Sequence, residues 1–198
     1  MTDPRTEAPP HLLLAVAPDL RTALGETFAS DGFTVTTVTG CAAVCAACAE
    51  PGPGVVVIDA ELDGARAVFQ TILELRAQPW MAETPVLLLI ADQDAGAVHQ
   101  GLEAGATDCA TRTAPTPLLG HRVRQLLRVT RTVHDLRKSE SSLAQAQRIA
   151  RLGNWIWDPQ EDRVVWSAEV HRLLGVPDAI RTAPMARFRW AQWVSAAR

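Results

Sequence analysis

Asp59 is the first residue whose type and place in the sequence could carry chemistry. It ends the stretch GVVVID at residues 54–59, where apolar β-formers give way to a carboxylate and then to a turn at Asp63-Gly64. Ligand crevices in open parallel sheets lie beyond the carboxyl ends of the strands, so an acid in this place is a candidate site residue. A charge at this depth is costly unless it is paired, so we expect Asp59 to have a partner.

Three cysteines, Cys41, Cys45 and Cys48, follow one another in the pattern C-x3-C-x2-C. This spacing also holds [4Fe-4S] clusters in radical enzymes that use S-adenosylmethionine, so an iron–sulfur protein is one interpretation. Those enzymes need a large barrel that this chain is too short to supply. The segment is also typical of an Ala-rich helix with its cysteines on one face, where Cys packs as a small hydrophobe. We therefore expect reduced core cysteines, Cys109 included.

The composition indicates a globular protein and argues against several classes of partner. Apolar residues make up 47% and charged residues 21% of the chain, which is ordinary for a protein with a core. A formal net charge of -3 does not suggest binding to nucleic acid or to an anionic membrane. No apolar run approaches the roughly 18 residues of a spanning helix. The polar, Pro-rich residues 1–10 do not resemble a signal peptide, so we expect a disordered N-terminus and a cytoplasmic protein.

Strand-like and helix-like stretches must position these residues, and they alternate through the first half of the chain. The predicted strands cover residues 11–17, 33–38, 55–59, 84–91 and 107–111. The predicted helices cover residues 19–32, the three cysteines, residues 65–78 and residues near 94–104, and a last helix begins at about Pro117. Gly and Pro separate several of these stretches. This order predicts an α/β fold whose parallel sheet is covered on both faces.

The last of these helices continues beyond the point where a domain would end. Residues at alternating spacings of three and four form a seam: Leu126, Val129, Val133, Leu136, Glu140, Leu143, Gln147 and Ala150. Such a heptad pattern, with two polar interruptions, predicts a parallel dimer, and a helix that folds back on its own domain is the alternative. Arg124, Arg131 and Lys138 lie seven apart on the outer face and indicate a solvated flank, with a nucleic-acid surface as the lesser alternative.

The character of the sequence changes after Gly153, and five of the six Trp residues follow it. The stretches NWIWD and RVVWS predict two strands joined by the turn PQED, and AEVHRLLGV predicts a short helix. The segment from Pro177 to Arg198 shows no further strand pattern, and we expect it to be poorly ordered or to rest on a partner. This region therefore has the opening elements of a domain without its completion.

Two stretches of the sequence resemble known families. Residues 11 to about 128 resemble the receiver domain of two-component response regulators, through GVVVIDAEL, TPVLLLIA and GLEAGATDCATR. Residues 139–176 resemble a signalling helix and the first elements of a PAS domain. The resemblance implies a flavodoxin-like, doubly wound five-stranded sheet, then a long coiled-coil helix and a partial α+β PAS segment. The implied boundaries are 11–128 for the receiver-like domain, 129–152 for the helix and 153–198 for a truncated PAS domain.

By this resemblance, Asp59 occupies the position of the phosphate-accepting nucleophile. Receivers also carry an acidic pair after the first strand, a hydroxyl residue at the end of the fourth and a lysine after the fifth. These groups hold Mg²⁺ and the phosphoryl oxygens. The corresponding positions here are Ala15 and Val16, Ile90, and Arg112. The resemblance therefore implies a pocket that keeps the acid and loses its metal ligands.

We interpret residues 11–128 as a degenerate receiver, or pseudo-receiver, and a working phosphoacceptor labelled on Asp59 is the alternative. Neither a metal nor a second carboxylate is expected near Asp59, so Arg112 is the expected partner in a direct ion pair. Asp19 is expected to cap a helix, and Glu61 alone would be a poor ligand set for Mg²⁺.

We expect a regulatory module rather than an enzyme, with no metal, haem, flavin or other cofactor. The motifs of cyclic-di-GMP enzymes and of histidine kinases do not occur in this sequence. The expected partners are a second copy, bound through the seam of the signalling helix, and a histidine kinase or a downstream output domain. No nucleic acid and no membrane is expected as a partner.

Overall fold

A parallel sheet of five strands organises the first part of the chain in the computed structural model, in the order β2-β1-β3-β4-β5. The strands are β1 (His11–Ala15), β2 (Thr34–Thr37), β3 (Val55–Asp59), β4 (Val86–Ile90) and β5 (Asp108–Thr111). This is the strand order of doubly wound, flavodoxin-like sheets. The α/β fold with a parallel sheet that the sequence predicts is therefore confirmed.

Helices connect the strands and cover the sheet. They are α1 (Pro18–Ser30), α2 (Cys41–Ala47), α3 (Ala65–Arg76), α4 (Ala95–Glu103) and α5 (Thr116–Ala150). The structure describes residues 9–92, 94–174 and 182–184. The expected disorder of residues 1–10 falls almost wholly outside these ranges, as does most of the segment after Val176. None of the helices in the described ranges combines the length and the apolar character that crossing a membrane requires.

The three central strands are buried on both faces, and their alternating side chains feed two separate cores. Every residue of β3 and of β4 is buried. Leu13, Val56 and Leu88 belong to one core, which includes residues of α2 and α3. Leu12, Leu14, Val57 and Leu89 belong to the other, which includes residues of α1 and α5. The continuous apolar runs in the sequence therefore reflect a sheet that is covered on both sides.

Helix α5 is a single helix of 35 residues. Its first part is anchored by Leu119, Val123 and Leu127, which are buried in the core of the first unit. From Arg131 to Ala146 every side chain is exposed. The long helix that the sequence predicts is present. Its residues 131–146 lie outside the hydrophobic core that buries the start of the helix.

The chain divides into two compact units, residues 1–133 and residues 134–198. In the second unit the predicted hairpin consists of β6 (Trp155–Asp158) and β7 (Arg163–Trp166), which are antiparallel, and the short helix is α6 (Ala168–Leu174). A third strand, β8 (Thr182–Pro184), pairs with β7. The expectation of no strand after Pro177 is therefore wrong at these residues. Three residues are too few for an alternating pattern to be visible in a sequence.

Arg76, at the end of α3, binds two connections, the loop between α3 and β4 and the loop between α4 and β5, and none of the acceptors there is a carboxylate. Its guanidinium donates to the carbonyl oxygens of Gly105 at 2.8 Å, Met81 at 2.6 Å and Thr84 at 2.7 Å, and to Thr107 Oγ1 at 3.1 Å. Burial lowers the pKa of this guanidinium. The side chain therefore supplies hydrogen bonds to backbone carbonyls of both loops.

Replacing Arg76 with Met should lower the free energy of unfolding by about 2–3 kcal/mol, because three backbone carbonyl groups lose a charged donor. Urea unfolding followed by circular dichroism measures this change. Arg66→Met, at an exposed position of the same helix, is the matched control and should have little effect. Equal stability of the two variants would contradict this role for Arg76.

Candidate functional site

Asp59 is the last residue of the central strand β3 and is completely buried. Its Oδ1 accepts a hydrogen bond from the backbone N–H of Glu61 at 3.0 Å. Its Oδ2 accepts one from the backbone N–H of Ala17 at 3.3 Å. Both carboxylate oxygens are therefore engaged by the loops that follow β3 and β1.

Arg112 follows strand β5 and lies at the same edge of the sheet. Its backbone N–H donates to the carbonyl of Ile90 at 2.8 Å, which continues the pairing of β5 with β4. Its Nε donates to Asp59 Oδ2 at 3.1 Å. The direct ion pair between Asp59 and Arg112 that the sequence predicts is present in the structure.

Two further carboxylates bind the same guanidinium. Arg112 Nη1 pairs with Glu61, and Nη2 lies 3.3 Å and 3.2 Å from the two carboxylate oxygens of Asp19. Arg112 is therefore shared by three acids, from the loop after β3, from the start of α1 and from the end of β3 itself. The expectation that no second carboxylate would lie near Asp59 is wrong.

Asp19 also has a different role from the one expected of it. The residue before α1 is Ala17, which makes no side-chain capping bond, and Pro18 occupies the first turn. Because Pro18 already suits the start of a helix, Asp19 falls inside the first turn, and its side chain binds Arg112. The signal in the sequence was the position of Asp19 and Glu61, since each follows a strand that ends at the edge where Asp59 lies.

The remaining positions of the site are apolar. Ala15 and Val16 are completely buried at the end of β1, and Ile90 is 3% exposed at the end of β4. None of these side chains offers an oxygen to a cation or a hydroxyl to an anion. In the described part of the chain no cluster of three or more His, Cys, Asp and Glu is arranged to hold a metal ion.

Two other contacts join the loops at this edge. The Thr113 hydroxyl donates to the Asp92 carboxylate at 2.6 and 2.7 Å, which links the loop after β5 to the loop after β4. The backbone N–H of Cys41 donates to Asp63 Oδ2 at 2.6 Å, which links α2 to the loop after β3. The adjacent residues Arg112 and Thr113 thus connect the loop after β5 with the regions that follow β1, β3 and β4.

Among the residues that the structure describes, the thiols of the four cysteines make no hydrogen bond to Asp59 or Arg112, and they differ from this edge in their chemistry. Cys48 is completely buried and Cys41, Cys45 and Cys109 are half-buried, and all four are free thiols. Burial raises the pKa of Cys48 to about 11, and burial likewise raises the pKa values of the other three. Cys45 Sγ donates to Glu74 at 3.7 Å. Protonated thiols are poor metal ligands, so this environment favours packing over an iron–sulfur cluster.

No protein-family model matches the chain. The response regulator PleD of Caulobacter vibrioides is 32% identical over 90 residues, which cover 46% of this chain and 20% of PleD. A Chloroflexus aurantiacus protein described as a response regulator matches in structure with a TM-score of 0.55 and 26% identity, over 60% of this chain and 98% of that one. The first unit is a receiver-type signalling domain. The chain spans about a fifth of the length of PleD.

A further receiver structure has the same fold at lower identity. It is the receiver domain of the sensor histidine kinase PA1611 from Pseudomonas aeruginosa, described with a magnesium ion coordinated in its active-site cleft. Its TM-score is 0.55 at 20% identity, over 61% of this chain and 98% of that one. These likenesses support the receiver fold of the first unit.

Arg112→Met should destabilise the receiver unit by about 2–4 kcal/mol, because it leaves the buried Asp59 carboxylate without its cation. Adding Asp59→Asn should recover part of that loss, since the double variant no longer buries an unpaired charge. Urea unfolding of the parent, both single variants and the double variant gives the coupling energy. Strictly additive effects of the two substitutions would show that the pair contributes nothing.

Proposed function

We propose that the receiver-type unit is a pseudo-receiver, which regulates by protein interaction and has lost phosphoacceptance. The ion pair between Asp59 and Arg112 carries this proposal. In it, the candidate nucleophile is already bound to a fixed cation through Oδ2 and to a backbone N–H through Oδ1. Both carboxylate oxygens are therefore already hydrogen-bonded and the negative charge is already compensated, which disfavours attack on a phosphodonor.

The chemistry of phosphoryl transfer gives the second support. Transfer to a carboxylate requires a divalent cation held by hard oxygen ligands, to neutralise charge on the phosphoryl group. The PA1611 receiver is described with magnesium in its cleft. Here the positions of the acidic pair are Ala15 and Val16, and the guanidinium of Arg112 sits among the acids that remain. A tethered cation thus replaces the exchangeable one.

A working phosphoacceptor is the second candidate, and one observation favours it. Asp59 remains a carboxylate at the carboxyl end of the central strand, which is where ligands bind in open parallel sheets. If Asp59 only filled space in the core, an apolar residue would do so at a lower cost in free energy. A buried ion pair often stabilises a fold no more than well-packed apolar residues of similar volume.

Incubation of the chain with acetyl phosphate and Mg²⁺, followed by intact mass measurement, separates the two candidates. We expect no added phosphoryl group, because the site lacks a ligand set for Mg²⁺ and Arg112 is bound to the Asp59 carboxylate. An active receiver treated in parallel controls for the donor. A stable gain of one phosphoryl group that is absent from Asp59→Asn would establish the phosphoacceptor instead.

Dimerisation through α5 is the second part of the proposal. Val129, Leu136 and Leu143 are 62%, 61% and 60% exposed, and Val133 is 41% exposed. Leu126, which begins the same seam, is half-buried against the core. Large apolar side chains at alternating spacings of three and four, on a helix exposed all round, are what a coiled-coil partner would cover. We propose a parallel homodimer along these residues.

Val133→Asp together with Leu136→Asp should convert a dimer into a monomer, because four charges would then meet at the centre of the seam. Light scattering at tens of micromolar measures the mass, and circular dichroism checks that the receiver unit stays folded. Ser142→Asp together with Gln145→Asp adds the same charge off the seam and should leave the dimer intact. A monomeric parent would contradict the coiled-coil interpretation.

The hairpin and α6 complete the proposed architecture as the beginning of a PAS domain, preceded by the signalling helix. The module would pass conformational information along α5 to this unit and to an output domain, with a histidine kinase as a further partner. We propose a cytoplasmic, non-enzymatic role without a bound cofactor. The receiver-type fold and the contacts of Arg112 support this role.

A further inference from the structure

The end of α5 is closed by a residue in a conformation that suits glycine better. Arg151 has a φ of 51°, in the left-handed region. Its N–H donates to Arg148 O at 3.3 Å, and the N–H of Leu152 donates to Gln147 O at 2.9 Å. These two bonds form the Schellman pattern, in which Gly usually occupies the place of Arg151. An arginine in this place strains the backbone.

The residues directly after this cap are bound to the hairpin and to α6. Asn154 N–H donates to Ser167 Oγ at 3.1 Å, and Ser167 N–H donates to Asn154 O at 2.9 Å. Gly153 lies so close to α6 that a Cβ atom there would be 2.4 Å from Val170 Cγ2 and 3.1 Å from the Val170 backbone. The chain therefore leaves α5 and contacts Ser167 and α6 within a few residues.

Continuation of the helix and this docking are mutually exclusive. If Arg151 became right-handed, Asn154 N–H would bond to the carbonyl of Ala150 in the next helical turn. It would then no longer reach Ser167, and Gly153 would leave Val170. The Asn154 amide thus has a different hydrogen-bond partner in each of two alternative structures. The strained conformation of Arg151 lowers the free-energy difference between them, because helix extension relieves the strain.

We propose that Arg151 is a conformational stop with two states. In the docked state described here, α5 ends at Ala150 and the hairpin is held against α6. In the extended state, α5 gains about a turn and releases the start of β6. This inference rests on the proposed role of α5 as a transmission element, since a change in the helix would reach the hairpin through this stop.

Amide hydrogen exchange of the full chain tests the stop, with Arg151→Gly and Arg151→Val compared at matched positions. Glycine tolerates a left-handed backbone and should slow exchange of the amides of β6 and β7 about fivefold, which corresponds to about 1 kcal/mol. Valine, being β-branched, should accelerate it. Arg148→Gly and Arg148→Val are the controls, because Arg148 is exposed and helical in both states and should leave hairpin exchange unchanged.

Unchanged hairpin exchange in both Arg151 variants, or the same effects at Arg148, would overturn the proposal. Arg151→Asn, which tolerates the left-handed region, keeps the test valid if valine unfolds the unit, and should also slow exchange relative to the parent. Light scattering of the same samples separates this result from the proposed function. A monomeric parent with the expected exchange pattern would retain the stop while removing the dimer.

Discussion

The carboxyl edge of the sheet depends on one constraint, which is the compensation of the Asp59 charge in a place that water does not reach. Asp59 is completely buried, and Ala15 and Val16 at the end of the neighbouring strand are apolar. An uncompensated carboxylate there would cost several kcal/mol, a large share of the stability of a small domain. Arg112 supplies the charge, and two backbone N–H groups complete the hydrogen bonding. The geometry of the loops follows from holding this one arginine in place.

The three acids around Arg112 do not contribute equally. Asp19 and Glu61 have side chains that are 65% and 53% exposed, so water screens their attraction to the guanidinium and each is worth little by itself. Asp59 has no such screening. The two outer acids therefore act mainly on orientation, because they fix the planar guanidinium with its Nε toward Asp59. A tethered cation of this kind is always present, whereas a metal ion binds and leaves.

The sheet and the Asp59–Arg112 pair could be predicted from the sequence. The sheet follows from a repeated pattern, and the pair follows from the high cost of burying an unpaired charge. Continuous apolar strands alternating with helices define a parallel sheet, and a buried acid demands a cation. The roles of Asp19 and Glu61 could not be predicted in the same way, because surface carboxylates have many low-cost alternatives. The strand at Thr182–Pro184 was missed because its three residues carry no period. The sequence therefore predicts features that burial makes necessary. It does not predict contacts of exposed side chains, which have several arrangements of similar free energy.

Helix α5 likewise has a buried part, which the core holds in place, and an exposed part, which the core does not hold. Leu119, Val123 and Leu127 anchor its first turns, but from Arg131 to Ala146 no side chain is covered. Helices in water owe most of their stability to packing of an apolar face. The exposed seam must therefore be covered if the helix is to stay rigid between its anchored start and its cap at Arg151. A second copy of the same seam would supply that cover, so that assembly and the rigidity of the connection between the units become a single property.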